Sequence, residues 1–506
     1  MSFTIHTNDP QSNDEKANKS VPFVETVVEK APPWLFSTVV HFFLLIVLAL
    51  LVSQFPPKPP REIILQPDID LNDPRYAFHI GDPNKPDTLT TDDNPVEVEN
   101  PVQSPDDEIS DAPISVGPEI ENPQTPGIGT ENPERTPIHS LYEGRSEESR
   151  QTLLFDGGGD ETTEAAVLRG LHWLARQQYR DGYWSLRNGP RNNSYDTSLV
   201  DNRAAATGMA LLAFQGYGVT CEQGQFQDSV VRGWSWLLLQ QDDEGCFYRS
   251  TGVETHNHPF YTQAICTIAI CELYAMTKDP SMGERLRLPA QKAVDFCVKT
   301  QTSSGGWRYG LNDDESDLAV TGWVLMALKS GRIAGLDVPV ETFDRITAYL
   351  DEIGEGGSKY PYQKGRFVTQ SMTAEGLLCR QFLGWDRDDP RLLEGANWLI
   401  QPDNLICFTS RDEMGRRMER DAYYWYYATQ MFHHLGGPHW KTWNNVMKQR
   451  MCENQQTSPG ENEGSWNPIL PTQDKWAEAG RLYVTCLSIY TLQVYYRHLP
   501  IYRSTR

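Results

Sequence analysis

From about Thr162 onward, apolar positions recur at helical spacing in long segments broken by Gly, Pro and Asp. The segments are of two kinds, and they alternate. One kind is amphipathic and ends in a fixed signature. It is clearest in Arg169-Gly170-Leu171-His172-Trp173-Leu174-Ala175-Arg176-Gln177-Gln178, closed by Asp181-Gly182-Tyr183-Trp184. It returns as Arg232-Gly233-Trp234-Ser235-Trp236-Leu237 with Gln241, Gly245 and Phe247. A third copy is Phe296-Cys297-Val298-Lys299-Thr300-Gln301 with Gly305-Gly306-Trp307. Weaker copies start at Tyr349-Leu350 and Trp398-Leu399, and the last survives mainly as Gly464-Ser465-Trp466.

The other kind is apolar and rich in small residues. Thr207-Gly208-Met209-Ala210-Leu211-Leu212-Ala213-Phe214 matches Thr321-Gly322-Trp323-Val324-Leu325-Met326-Ala327-Leu328 at the Thr-Gly, Leu and Ala positions. Related segments are 261–274, 373–382, 423–435 and 482–495. A period of roughly 50 to 60 residues predicts a repeat architecture of about twelve helices in six pairs. The small residues permit close packing, so these helices belong to an inner ring and the amphipathic ones to an outer ring. Six pairs closing on themselves predict an all-α fold, an (α/α)6 toroid with a central cavity. The signature then has a physical purpose. A Gln near a helix end can bond the orphan terminal carbonyls, a glycine takes the left-handed conformation beyond it, and a Trp buries its ring over the helix end.

The pattern Arg-Gly-x-x-aromatic-Leu-x-x-x-Gln followed by Gly-x-Trp resembles the QW repeat of squalene/terpenoid cyclases and the related repeat of protein prenyltransferase β-subunits. The similarity covers about residues 160–500. It implies the toroid, and it suggests an isoprenoid or other hydrophobic ligand in the cavity. It is more specific for a fold than for an activity, because one fold hosts many functions.

Before the repeats the composition is different. Residues 1–33 are a polar tail. Residues 34–55 hold an uncharged apolar run, Val39 to Val52, and about 20 apolar residues suffice to cross a bilayer. A polar leader this long and the following Phe55-Pro56-Pro57 do not fit a cleavable signal peptide. One transmembrane helix is therefore expected, with membrane as the first partner. Lys19 and Lys30 before it nearly balance Lys58, Arg61 and Arg75 after it. Signal-anchor proteins usually place their bulk on the extracytoplasmic side, which is where the toroid is expected. Residues 56–155 read as a disordered Pro-rich acidic linker, leaving 156–506 to the toroid. Residues 56–150 contain 21 acidic and 7 basic residues, so the linker carries 14 of the 23 net negative charges. Such a segment buries too little apolar surface to offset its ordering entropy. No basic stripe with interleaved aromatics occurs, which argues against nucleic acid.

If the inner helices run the same way, their N-termini share one rim. The residues placed there are Asp201 with Arg203, His256 and His258, Asp314 with Asp317, Asp421 with Tyr423 and Tyr424, and Arg481. The aromatics Phe260, Tyr261, Trp323, Trp425, Tyr426 and Tyr490 belong near or just inside it. Asp201, His258, Tyr261, Trp323, Tyr424 and Arg481 are the expected ligand-binding set. An Asp at a helix N-terminus is more often a cap, so only convergence on one rim favours function.

The resemblance sharpens one stretch, Gly306-Trp307-Arg308-Tyr309-Gly310 followed by Asp313-Asp314-Glu315-Ser316-Asp317-Leu318-Ala319. Squalene cyclases carry their proton donor in an Asp-x-Asp-Asp-Thr-Ala motif. Here Ser316 stands where the donor should be, and a serine hydroxyl cannot protonate an alkene. Any acid role therefore falls to Asp317, with Asp314 or Glu315 as its partner. Prenyltransferase β-subunits hold zinc through an Asp-x-Cys, but Asp317-Leu318-Ala319 lacks the thiolate. Asp295-Phe296-Cys297 has the spelling but lies on an outer helix. No metal and no cofactor are expected.

The remaining motifs carry little. Cys221 and Gln223 are one residue too close for a thioester. Cys266, Cys271, Cys379 and Cys486 read as small core hydrophobes. His433-His434 reads as a helix C-terminal feature. Two functions stay open: an enzyme acting on a hydrophobic substrate in the cavity, and a non-catalytic toroid presenting its rim to a protein, glycan or lipid. A deep apolar cavity with an inward acid favours the first. A centre plugged by side chains favours the second.

Overall fold

The structure is a computed structural model of the full chain. It describes residues 142–187, 201–249, 258–354, 356–411 and 418–502. The apolar stretch 34–55, the linker as far as residue 141, and His256 lie outside the described residues. Among the described residues, no helix is long and apolar enough to cross a membrane.

Those residues are helical, with isolated bridges and no strand. Six outer helices are α2 (Glu161–Gln177), α4 (Gln227–Leu238), α6 (Pro280–Lys299), α8 (Val340–Ile353), α10 (Pro390–Leu399) and α12 (Gly437–Glu453). Six inner helices alternate with them: α3 (Arg203–Gly216), α5 (Pro259–Met276), α7 (Leu318–Ile333), α9 (Gln370–Phe382), α11 (Ala422–Leu435) and α13 (Gly480–Leu492). Each inner helix packs on the next, and α13 packs back on α3, so the ring is closed. The inner helices are covered on nearly every side. In α11 all residues from Ala422 to Leu435 are buried. A helix that is apolar all round requires neighbours all round, and the double ring supplies them.

The repeat signature is a set of hydrogen bonds, and it works differently from expectation. The indole, and not the glutamine, takes the orphan carbonyl at the end of the outer helix. Trp184 Nε1 donates to Leu174 O at 2.7 Å, Trp307 Nε1 to Cys297 O at 2.9 Å, and Trp466 Nε1 to Met451 O at 2.9 Å. The glutamine reaches sideways. Gln178 Nε2 bonds its own glycine turn at Gly182 O and the next outer helix at Ser229 O, both at 2.8 Å. Gln301 does the same to Gly305 O and Thr342 O, at 2.8 and 3.0 Å. The indole closes the helix end, and the glutamine stitches unit to unit.

Helix α1 (Glu147–Asp156) falls, all but its last residue, within the stretch whose acidity assigned it to the linker. The charge is real, but Arg145 just before it is 1 % exposed and bonds Glu272 on α5 at 2.7 and 2.9 Å. A buried ion pair, invisible to composition, ties this segment to the toroid. All nine cysteines are free, and Cys266, Cys271, Cys379 and Cys486 are buried as expected of core residues.

Candidate functional site

The predicted rim forms at the N-termini of the inner helices, and the caps explain why. Asp317 Oδ1 accepts from Val320 N at 2.8 Å at the start of α7. Asp421 Oδ1 accepts from Tyr424 N at 2.9 Å at the start of α11. Asn202 and Thr369 cap α3 and α9 in the same way. The loop before α7 runs alongside the start of α5, where Phe260 N donates to Tyr309 O. Leu318 N in turn donates to Tyr362 O. These backbone bonds bring three loops, and their aromatics, together.

The result is a row of rings. His258 and Tyr309 have centroids 4.3 Å apart, Tyr261 and Tyr309 5.9 Å, and Tyr309 and Tyr362 6.5 Å. Tyr309 and Tyr362 are within 26° of parallel. Spacings of this size are ring-on-ring contacts, so a ligand would lie on the row and not between its members. The three tyrosines are half-buried and His258 is exposed.

Two carboxyl groups lie beneath. Asp317 is 0 % exposed. Burial pushes its carboxyl up to about 6, against the helix-cap N–H of Val320 and the Tyr362 hydroxyl, which pull it down. Glu375, on the inner face of α9, is also wholly buried, and burial raises it well above the usual carboxylate range. Asp317 adds to that rise, while the Tyr423 hydroxyl opposes it. Hydrogen-bond geometry points the same way. Tyr423 Oη is 3.0 Å from Glu375 Oε2 and 3.3 Å from the Ala319 carbonyl. A phenol has one proton for these two acceptors. Protonated Glu375 resolves the conflict by donating to Tyr423, which then donates to Ala319. Burial and this contact both favour the neutral form of Glu375, in the middle of the ring.

Below Glu375 the centre is filled. Trp323 stacks on Tyr426 at 5.5 Å, Tyr426 meets Tyr490 at 5.7 Å, and Tyr427 lies against Tyr423 at 4.9 Å. All are at most 5 % exposed. Glu375 itself presses on the small residue opposite. A Cβ at Gly322 would come within 2.2 Å of its Oε1.

The predicted site residues part company here. Asp317, Tyr261 and His258 converge on the rim, and Trp323 lies deeper in the plug. Asp314 is exposed. Glu315 is exposed too and pairs outward with Arg308 at 2.6 Å, so neither partners Asp317. Ser316, the residue in the donor's place, is buried and bonds Thr302 and Ser304 at 2.7 Å. Asp201 bonds Ser185 and Arg203 at 2.6 and 3.1 Å. Tyr424 points outward against Trp443 of α12, because its neighbours Tyr423 and Tyr427 occupy the inward face of α11. Arg481 is buried on Ser465 and Gln456. Glu375, Tyr309 and Tyr362 were not predicted. For Glu375 a signal was available: an acid amid Met372-Thr373-Ala374-Glu375-Gly376-Leu377-Leu378, a segment otherwise of the inner-helix type.

Among the described residues, no group of three or more His, Cys, Asp or Glu side chains could hold a metal ion. No family model matches the chain, and no curated protein does. Solved structures do. The type II terpene cyclase MstE from Scytonema, in complex with merosterolic acid A, is 13% identical, with a TM-score of 0.42 over 67% of this chain and 98% of that one. The GH76A α-1,6-mannanase of Salegentibacter sp. HEL1_6 is 10% identical, with a TM-score of 0.44 over 66% and 98%. A protein from Actinoplanes is 13% identical, with a TM-score of 0.38 over 66% and 99%.

Proposed function

We propose that the protein is a non-catalytic toroid that binds a glycan on the ring row formed by His258, Tyr309, Tyr261 and Tyr362. The observation that carries this reading is the filled centre: Asp317 and Glu375 are both 0 % exposed, beneath tyrosines and above an aromatic plug. A proton donor must touch the reacting atom, and here neither carboxyl reaches the surface. Ser316 adds to the case, because its hydroxyl cannot replace the missing acid. The ligand class follows from the surface. Tyrosines offer flat apolar faces with hydroxyl edges, which suit the C–H faces and hydroxyl rims of sugar rings. Alkyl chains are poorly matched by a row flanked by exposed Asp313, Asp314 and Glu315. In this reading residues 34–55 hold the toroid at a membrane, on the extracytoplasmic side.

The test is a panel of polysaccharides run in affinity electrophoresis against the full chain and Tyr309→Ala. Retardation by one class of polysaccharide, lost in Tyr309→Ala and kept in Asp317→Asn, is the expected result. Conversion of a polyprenyl substrate by wild type but not by Asp317→Asn would replace this reading with the enzymatic one.

A further inference from the structure

Four of the repeat units close the turn after the outer helix with the same backbone hydrogen bond. Tyr179 N donates to Tyr183 O at 3.0 Å, Asp242 N to Cys246 O at 2.9 Å, Thr302 N to Gly306 O at 3.0 Å, and Gln456 N to Ser465 O at 2.9 Å. Only main-chain atoms take part, and Asp, Cys, Thr, Gly, Gln and Ser all serve at the two positions. The turn therefore has no need of aromatic side chains. Of these four units, the first carries them at both positions, as Tyr179 and Tyr183.

The two rings stack, with centroids 4.6 Å apart and planes within 13° of parallel. Tyr183 is also held by its other neighbours. Trp236 of α4 lies 5.2 Å from it, and the Arg203 guanidinium is 4.7 Å from its ring centre. Separations of this size are ring–ring and cation–π contacts. Arg203 is in turn fixed by Asp201 at 3.1 Å, and the other oxygen of Asp201 accepts from Ser185 at 2.6 Å. Tyr183 thus backs one face of Tyr179, while Tyr179 is 38 % exposed. An exposed phenol on an ordered support suits the C–H face of a sugar ring. The Arg–Asp pair beside it offers donors and acceptor lone pairs to the sugar hydroxyls.

This stack adjoins the ring row at His258, Tyr261, Tyr309 and Tyr362. Asn202, between Asp201 and Arg203, donates through Nδ2 to Thr262 Oγ1 at 2.8 Å, and Thr262 follows Tyr261. Both surfaces lie on the rim where the inner helices start. From α3 to the loop before α7 is two inner-helix spacings, roughly 16–20 Å at about 8–10 Å each. One sugar does not reach across that span, but a chain of several does.

We infer that Tyr179, with Tyr183 and Arg203, forms a second sugar platform, and that the ligand is a polysaccharide chain long enough to engage it together with the Tyr309 row. This rests on the glycan reading above and adds to it the size of the ligand and a second place of contact.

The full chain in mild detergent would be run in affinity electrophoresis with dextran, xylan, galactomannan and mixed-linkage β-glucan. Wild type, Tyr179→Ala, Tyr179→Trp and Tyr309→Ala are compared on the polymer that retards wild type. Two linked contacts exceed either alone by about 10²–10⁴, so losing one is costly. Tyr179→Ala should weaken polymer binding at least about tenfold, as Tyr309→Ala does. Tyr179→Trp keeps a ring face and should bind like wild type, which separates lost stacking from a damaged turn. A disaccharide of the same linkage, titrated calorimetrically, is too short to bridge. It should lose no more than about twofold in Tyr179→Ala, because one of two independent sites remains. Polymer binding that survives Tyr179→Ala but not Tyr309→Ala overturns this proposal and leaves the row reading standing. Equal losses in the Ala and Trp variants overturn it as well. Loss in Tyr179→Ala alone overturns the row reading and with it the bridging. Retardation of wild type by none of the polymers overturns both.

Discussion

The side-chain amide of Gln455 donates to the backbone carbonyl of Ala166, 289 positions earlier, at 2.8 Å. The same amide bonds Gly464 O at 2.8 Å. This is the bond that Gln178 makes to Ser229 and Gln301 to Thr342, but here it joins the last outer unit to the first. The ring is therefore closed by its ordinary repeat contact, with no special device.

That equivalence can be measured. Gln455→Leu and Gln301→Leu each strand two carbonyls, at a cost of about 1–3 kcal/mol apiece. In a closed ring the two variants should lower the urea midpoint by similar amounts with one cooperative transition. An open array would fray at its ends, and Gln455→Leu would then leave the main transition unmoved.

The glycine of the repeat has two separable duties. Gly464 has φ +94°, and a Cβ there would stand 2.1 Å from the Arg169 carbonyl of the first outer helix. Gly335 also has positive φ, at +74°, but open space around it. Gly335→Ala should cost only the conformational term, about 1–2 kcal/mol. Gly464→Ala adds a backbone clash at the ring closure and should cost more than about 3 kcal/mol. Equal losses in thermal unfolding would mean that Gly464 is there for its conformation alone.

Much of this was legible in the sequence, and the reason is repetition. A helical period seen once is ambiguous. Seen six times with Trp184, Trp307 and Trp466 at the same place, it specifies inner and outer helices and a ring. Asp317 was legible because a cap precedes its helix in the chain. Glu375 and Tyr362 were not, because they meet Asp317 only through the packing of α7 on α9. Tyr424 shows the limit within one helix. Tyr423, Tyr424, Tyr426 and Tyr427 read alike as letters, and only the rotation of α11 decides that Tyr424 faces outward. Arg145 was lost for a different reason, since a charge average over the linker hides one buried arginine.

Glu375 offers a test of its protonation. Gln is neutral and isosteric with the acid, and its amide N–H can donate to Tyr423 as the protonated carboxyl does. Glu375→Gln should therefore be within about 1 kcal/mol of wild type at pH 7. Glu375→Ala leaves a hole over Gly322 and should lose about 2–4 kcal/mol. A large loss in the Gln variant would show that the residue is held as a carboxylate.

Asp317 makes the pH dependence specific. Its carboxyl titrates near the ordinary aspartate value of about 4 in the unfolded chain, and at about 6 when folded. The folded state thus holds an extra proton between those values, and stability falls as pH rises across the window. Glu375, also raised by burial, contributes a downward slope of the same sign. Asp317→Asn keeps the oxygen that caps Val320 N and cannot ionise, so it should flatten the slope between about pH 4 and about 6 while leaving the slope above it. Asp317→Ala removes the cap as well, and should lower stability at every pH by about 1 kcal/mol relative to the Asn variant. The measurement is a series of thermal midpoints from pH 4 to 8 for the three proteins. A wild-type midpoint that climbs between pH 4 and 6 more steeply than that of Asp317→Asn would mean that Asp317 is stabilised as an anion. The acid beneath the tyrosine row would then be a buried charge held by its cap.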